Sequence, residues 1–239
     1  MSLTLPHDSP GRKPPPEQAL PVGLGLSLKR GRVHELCGPA RSALAALILG
    51  SSQGPVLWIT PGWLPEQIFP PGLCDHADPG RIIFARARRP EDILWSMEEA
   101  LRSGAVPLVL ADLPKPPALP PIRRLQLACE AGADAAHHRG RLPPLGLILI
   151  ASEGGAQGVE SRWQMVAAPS GSSLMENRSA WVMRRLRARI APPAEWRLLC
   201  DDTGQISAEP PVTVPPVTVP PVTVPPSLCR QSLPTVTST

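Results

Sequence analysis

Residues 38–45 occupy the place of a phosphate-binding loop without its chemistry. A short apolar run, Arg32 to Cys37, leads into Gly38-Pro39, and a helical run from Arg41 to Gly50 follows. Strand, glycine, helix is the setting of the pattern G-x-x-x-x-G-K-[ST]. In that pattern the glycines let backbone amides wrap phosphates, the lysine neutralises their charge and the hydroxyl holds Mg²⁺. Laid from Gly38, the chain reads Gly38-Pro39-Ala40-Arg41-Ser42-Ala43-Leu44-Ala45. Only the first glycine is kept. Ala43 replaces the second, Leu44 puts hydrocarbon where the cation belongs, and Ala45 cannot ligate a metal. Arg41 is the one cation of the register and sits in the loop rather than at the helix start. The expectation is an ordinary strand-to-helix turn. Gly38 and Ser42 are then remnants of a nucleotide site, and no catalytic residue or cofactor is expected.

Other reactive residue types are present but scattered. His137-His138 and Cys74-Asp75-His76 do not form a four-ligand set with metal spacing, so no metal site is expected. The five cysteines, Cys37, Cys74, Cys129, Cys200 and Cys229, show no C-x-x-C spacing and read as reduced thiols. There is no G-x-S-x-G motif. Two features suit binding better than catalysis. Along a strand from Trp181 to Ile190, Arg185, Arg187 and Arg189 recur every second residue, which predicts one cationic face able to meet phosphates or an acidic partner. Val182, Leu186, Ala188 and Ile190 take the other face, Arg184 being an exception there. Trp95 falls opposite the apolar face of its own helix, as a partner anchor would.

The elements that must hold these residues alternate. Pro55 to Thr60 and Arg81 to Ala85 read as strands. Pro90 opens a helix whose Ile93, Leu94, Met97, Ala100 and Leu101 share one face, and Gly104 ends it. Pro107 to Ala111 is a wholly apolar strand running into Asp112, a helix spans about 122–137, and Leu145 to Ala151 is a second apolar strand. Strand and helix in alternation predict an α/β fold with a largely parallel sheet flanked by helices. After Ser161 the period becomes two, which predicts antiparallel edge strands near the C-terminal end of the core, with a hairpin turn at 201–204.

The chain has 239 residues, room for one core domain. Thirty-four prolines cluster towards its ends. Residues 1–22 read as a flexible Pro-rich N-terminal arm, 23–208 as the core, and 209–239 as a disordered tail carrying P-P-V-T-V three times from Pro210 to Val224. A net charge of +4 permits contact with DNA or an acidic partner without requiring it. No apolar leader or membrane-length run is present, so a soluble cytoplasmic protein is expected.

Several segments carry a resemblance. Gly31 to Pro39 (GRVHELCGP) resembles the phosphate-loop strand of the RecA recombinase. Arg102 to Val106, with the apolar strand to Asp112, resembles its helix and Walker B strand, and Leu186 to Pro193 is similar to a late core strand. In that register Asp112 falls on the Walker B aspartate and Glu91 on the catalytic glutamate. Over GRVHELCGPA (31–40), PVLWI (55–59), residues 78–106, RRLQLACEA (123–131) and SRWQMVAAPS (161–170), the chain is similar to the ImuA family of RecA-like damage-tolerance proteins. The resemblance implies a RecA-like core with a degenerate loop and a non-catalytic role in SOS-induced, error-prone translesion synthesis. It implies partners too: an ImuB-like Y-family-related protein, through it a DnaE-type polymerase, and in addition RecA or DNA. The chain departs from RecA at Pro14-Pro15-Pro16, where RecA has an N-terminal helix. It departs again at the short Glu153–Gly158 loop, where RecA places DNA-binding residues. Two other readings stand beside this one. One is a nucleotide-dependent ATPase with a non-standard loop using Arg41, Glu91 and Asp112; the other is an inhibitor docking on RecA or a cell-division protein.

Overall fold

A computed structural model describes residues 19–24, 26–64, 68–74, 76–169, 179–201 and 205–209. The first strands, β1 (Ala19–Gly23) and β2 (Leu26–Lys29), form an antiparallel hairpin. The last four residues assigned to the N-terminal arm therefore belong to this hairpin. Residues 1–18 and the P-P-V-T-V repeats lie outside the described residues.

The main sheet has nine strands in the order β11-β10-β9-β8-β3-β7-β6-β4-β5. Six of them, β3 (Val33–Cys37), β4 (Val56–Pro61), β5 (Ile82–Ala87), β6 (Leu108–Leu113), β7 (Leu145–Ile150) and β8 (Ser161–Ala168), run parallel. Then β9 (Ser179–Ala188), β10 (Ala194–Cys200) and β11 (Ile206–Ala208) continue antiparallel from β8. The expected α/β architecture, with a mostly parallel sheet flanked by helices and antiparallel strands at one end, is the one observed. Residues 202–204 of the expected hairpin turn lie outside the described residues, but the strands on either side pair as a hairpin.

Both faces of the sheet are covered, which explains why β6 and β7 are apolar at nearly every position. Alternate residues point to opposite layers. Leu108, Leu110, Leu145, Leu147 and Leu149 pack with α1 (Arg41–Gly50), beside Trp58 and Trp163. Val109, Ala111, Ile148 and Ile150 pack on the other side against α2 (Pro90–Ser103) and α3 (Leu119–His138). In α2 the buried residues are Ile93, Met97 and Leu101, one stripe at helical spacing. The third helix starts earlier than expected, at Leu119. Pro120 and Pro121 lie in its first turn, where a missing N–H leaves no bond unmade, so they open the helix rather than precede it.

Candidate functional site

A cleft of about 630 Å³ opens at the carboxyl ends of the parallel strands. That is where α/β sheets usually hold ligands. Thr60 and Asp112 stand one residue from the ends of β4 and β6 there; Arg41, Ser42 and Ala43 present the start of α1, and Ile68, Phe69, Gly72 and Leu73 form the opposite wall. Asp112 is held by two neighbours. Its Oδ2 accepts a hydrogen bond from the Trp58 indole N–H at 2.9 Å, and Arg41 Nε lies 3.9 Å from Oδ1. The latter is a Coulombic contact rather than a hydrogen bond, and Arg41 Nε is buried with no hydrogen-bond partner among the described residues. Burial raises the Asp112 pKa above the ordinary carboxylate value, while the indole bond and the guanidinium pull the other way.

The turn beneath the cleft is closed on itself. Only Gly38, Pro39 and Ala40 separate β3 from α1. Gly38 N–H donates to Ser152 O (2.9 Å), Ala40 N–H to Met165 O (3.1 Å) and Arg41 N–H to Gly38 O (3.2 Å), while Pro39 has no N–H to offer. None of these amides is left to wrap a phosphate. The retained glycine has a local explanation: Gly38 has φ +91°, and a Cβ there would lie 2.6 Å from Met165 O. Contrary to the loop register, Arg41 is the first residue of α1. Leu44 and Ala45, at the lysine and hydroxyl positions, are fully buried in the α1 core and do not face the cleft at all.

The sequence-derived residues are only partly brought together. Arg41, Ser42 and Asp112 share the cleft, and Gly38 lies buried beneath it. Glu91 does not join them. It is exposed in the first turn of α2, where its charge suits the helix dipole but caps no amide. Trp95 is 63% exposed on the solvent side of α2. The expected single face of arginines is corrected by a bulge: Arg162 pairs with Arg187 while Trp163 pairs with Arg185, so Leu186 is an extra residue. Because Arg162 and Trp163 point to opposite faces, so do their partners. Arg185 stacks over Trp163 and Trp196, 5.5 and 5.2 Å from the ring centroids, and its Nε donates to Pro192 O. Arg187 is exposed on the other face, and Arg189 lies 3.6 Å from Glu160.

Two buried polar groups escaped the sequence reading. Glu35, inside apolar β3, is wholly buried. Its Oε1 accepts from the N–H groups of Gly155 (2.8 Å) and Ala156 (3.3 Å), and its Oε2 from Arg162 Nε. Arg162 Nη2 donates in turn to Ala156 O. The loop after β7 is thereby clamped onto the sheet, with Gly154 (φ +84°) so close that a Cβ would lie 2.7 Å from Glu35 Oε1. Two polar residues, His34 and Glu35, inside a strand otherwise of Val33, Leu36 and Cys37 were the available signal. His34, its neighbour, joins a buried chain: Trp163 Nε1–H donates to Ser161 Oγ, and Ser161 lies 2.7 Å from His34 Nδ1. His34 Nε2 lies 2.9 Å from Lys29 O, which can only accept, so Nε2 carries the proton. Burial pushes the His34 pKa down to about 4. A Ser–His pair this deep is structural.

Among the described residues no three His, Cys, Asp or Glu side chains converge as a metal site would require. No helix among them is long and apolar enough to cross a membrane. No protein-family model matches the chain, and no curated protein sequence matches it. Among solved structures, SulA from Pseudomonas aeruginosa is similar over 52% of this chain and 98% of that one, at 20% identity and a TM-score of 0.38. A likeness of that degree decides neither fold nor function.

Proposed function

We propose that this chain is a non-catalytic, RecA-like accessory protein of error-prone translesion DNA synthesis, working in the cytoplasm through protein contacts. Its main partner is an ImuB-like, Y-family-related protein that brings in a DnaE-type polymerase, with RecA or DNA as secondary contacts. One observation carries the non-catalytic part: the β3–α1 turn bonds its own amides to protein carbonyls, and the side chains at the lysine and hydroxyl positions lie in the core. A triphosphate would find no amide cradle in that turn and no cation at the lysine position, and the one guanidinium in the cleft, Arg41, lies beside the Asp112 carboxylate. The ATPase reading loses its water-orienting carboxylate as well, because Glu91 does not line the cleft. The translesion part rests on the resemblance to the ImuA family in segments 31–40, 55–59, 78–106, 123–131 and 161–170, and the clamped loop after β7 supports a chain that does not use RecA's DNA-binding loops.

The test is reconstitution with the Y-family-related protein encoded nearby and its DnaE-type polymerase. Co-elution of the full chain with the first protein, and with the polymerase only when that protein is present, is the expected result. Failure to co-elute, with damage-induced mutagenesis unchanged when the gene is deleted, would overturn the reading.

A further inference from the structure

We propose that β5 is a docking edge that takes an extended segment of a partner protein as an added strand. That segment is apolar along β5 and acidic where it passes the strand's carboxyl end. The inference rests on the geometry of the edge and not on the translesion reading.

The two ends of the sheet are finished differently. At one end β11 has three residues, a short edge of the kind that resists further pairing. At the other, β5 pairs with β4 residue for residue from Ile82 to Ala87 with no bulge, and no strand covers its outer side among the described residues. Its first four residues, Ile82-Ile83-Phe84-Ala85, lack the charges and prolines that usually protect an edge. Ile83 is 55% exposed and Phe84 43%, and as sequence neighbours they point to opposite faces. An added strand would therefore meet apolar surface above and below. Beside Phe84 a pocket of about 180 Å³, between Thr60, Ile68, Pro70 and Arg86, has room for one of its side chains.

Charge selects the occupant. Arg86, Arg88 and Arg89 are exposed at the carboxyl end of β5, and none of their guanidinium groups makes a hydrogen bond or ion pair among the described residues. Some surface arginines are paired, Arg102 with Glu98 and Glu99 and Arg184 with Glu195, while Arg123, Arg141 and Arg187 are exposed singly; what marks Arg86, Arg88 and Arg89 is that they cluster beside an open edge. Glu91 and Asp92 follow in sequence, but their carboxylates form no ion pair with any of the three. A second copy of this edge offers no acidic run in return, since arginine stands at both ends of β5, Arg81 before it, Arg86 near its end, and Arg88 and Arg89 behind it.

Two probes test this with the full chain: labelled peptides of roughly ten residues alternating valine and threonine, one ending in three glutamates and one in three lysines. By fluorescence anisotropy the glutamate-ended peptide should bind and the lysine-ended one bind about tenfold more weakly. On binding, hydrogen exchange should slow in the amides of residues 82–87. Ile83→Lys, at an exposed position, should keep the melting temperature and weaken binding about tenfold. Combining Arg86→Glu, Arg88→Glu and Arg89→Glu should reverse the preference between the peptides. The proposal is overturned if neither peptide binds, if protection appears away from β5, or if Ile83→Lys changes nothing. Concentration-dependent protection of β5 without peptide would also overturn it in favour of self-pairing. So would oligothymidylate binding that depends on the arginines but not on Ile83.

Discussion

At the scale of single residues, the buried polar groups explain more than the exposed ones. His34 is held neutral by burial, with its pKa down at about 4 against an ordinary value of 6.5. Between those values the unfolded chain binds a proton that the folded chain refuses, so stability rises with pH there. The contribution is fully present above pH 6.5 and is lost as pH falls towards 4, about 3 kcal/mol in all. Denaturant melts across that window should show the slope, and His34→Gln should flatten it. Leu44 offers a second test. Restoring the phosphate-loop cation with Leu44→Lys would put an ammonium in the α1 core and not in the cleft. A loss of about 3 kcal/mol or more is expected in a chemical melt, with no nucleotide binding gained.

At the scale of elements, the sequence was most informative where periodicity was strong. The limits of α1, the whole of α2, and the apolar runs of β6 and β7 follow from pattern, proline and glycine alone. Three features were not readable that way, the first because proline suits a loop and a first helical turn alike, the other two because tertiary contacts override the local signal. The prolines before Ile122 enter α3 instead of ending a loop. The bulge at Leu186 divides arginines that simple alternation places together, because register is set by β8. The cleft gathers Arg41 and Asp112 from distant segments, the buried Trp58 from a third holding Asp112 by its indole N–H, while Glu91, placed by resemblance, stays on the surface of α2. The Glu35–Arg162 pair shows the same limit and makes a prediction. Glu35→Ala would leave the half-buried Arg162 without its charge partner and two amides without their acceptor, costing about 3 kcal/mol. Hydrogen exchange should show Gly155 and Ala156 losing protection before the surrounding strands do.

At the scale of the whole molecule, the sheet presents a ligand-style cleft at its carboxyl edge and open pairing capacity at β5. The cleft lies in the usual place for an α/β domain, yet the loop under it spends its amides on Ser152, Met165 and its own Gly38. That arrangement is what the proposed binding of another polypeptide, rather than of a nucleotide, rests on. Calorimetric titration of Mg²⁺–ATP into the full chain near neutral pH tests this most directly. No saturable heat is expected up to millimolar nucleotide. Mg²⁺-dependent binding with a Kd of about 10 μM or tighter, a binding free energy near 7 kcal/mol, would contradict it, above all if Arg41→Ala and Asp112→Asn abolished that binding.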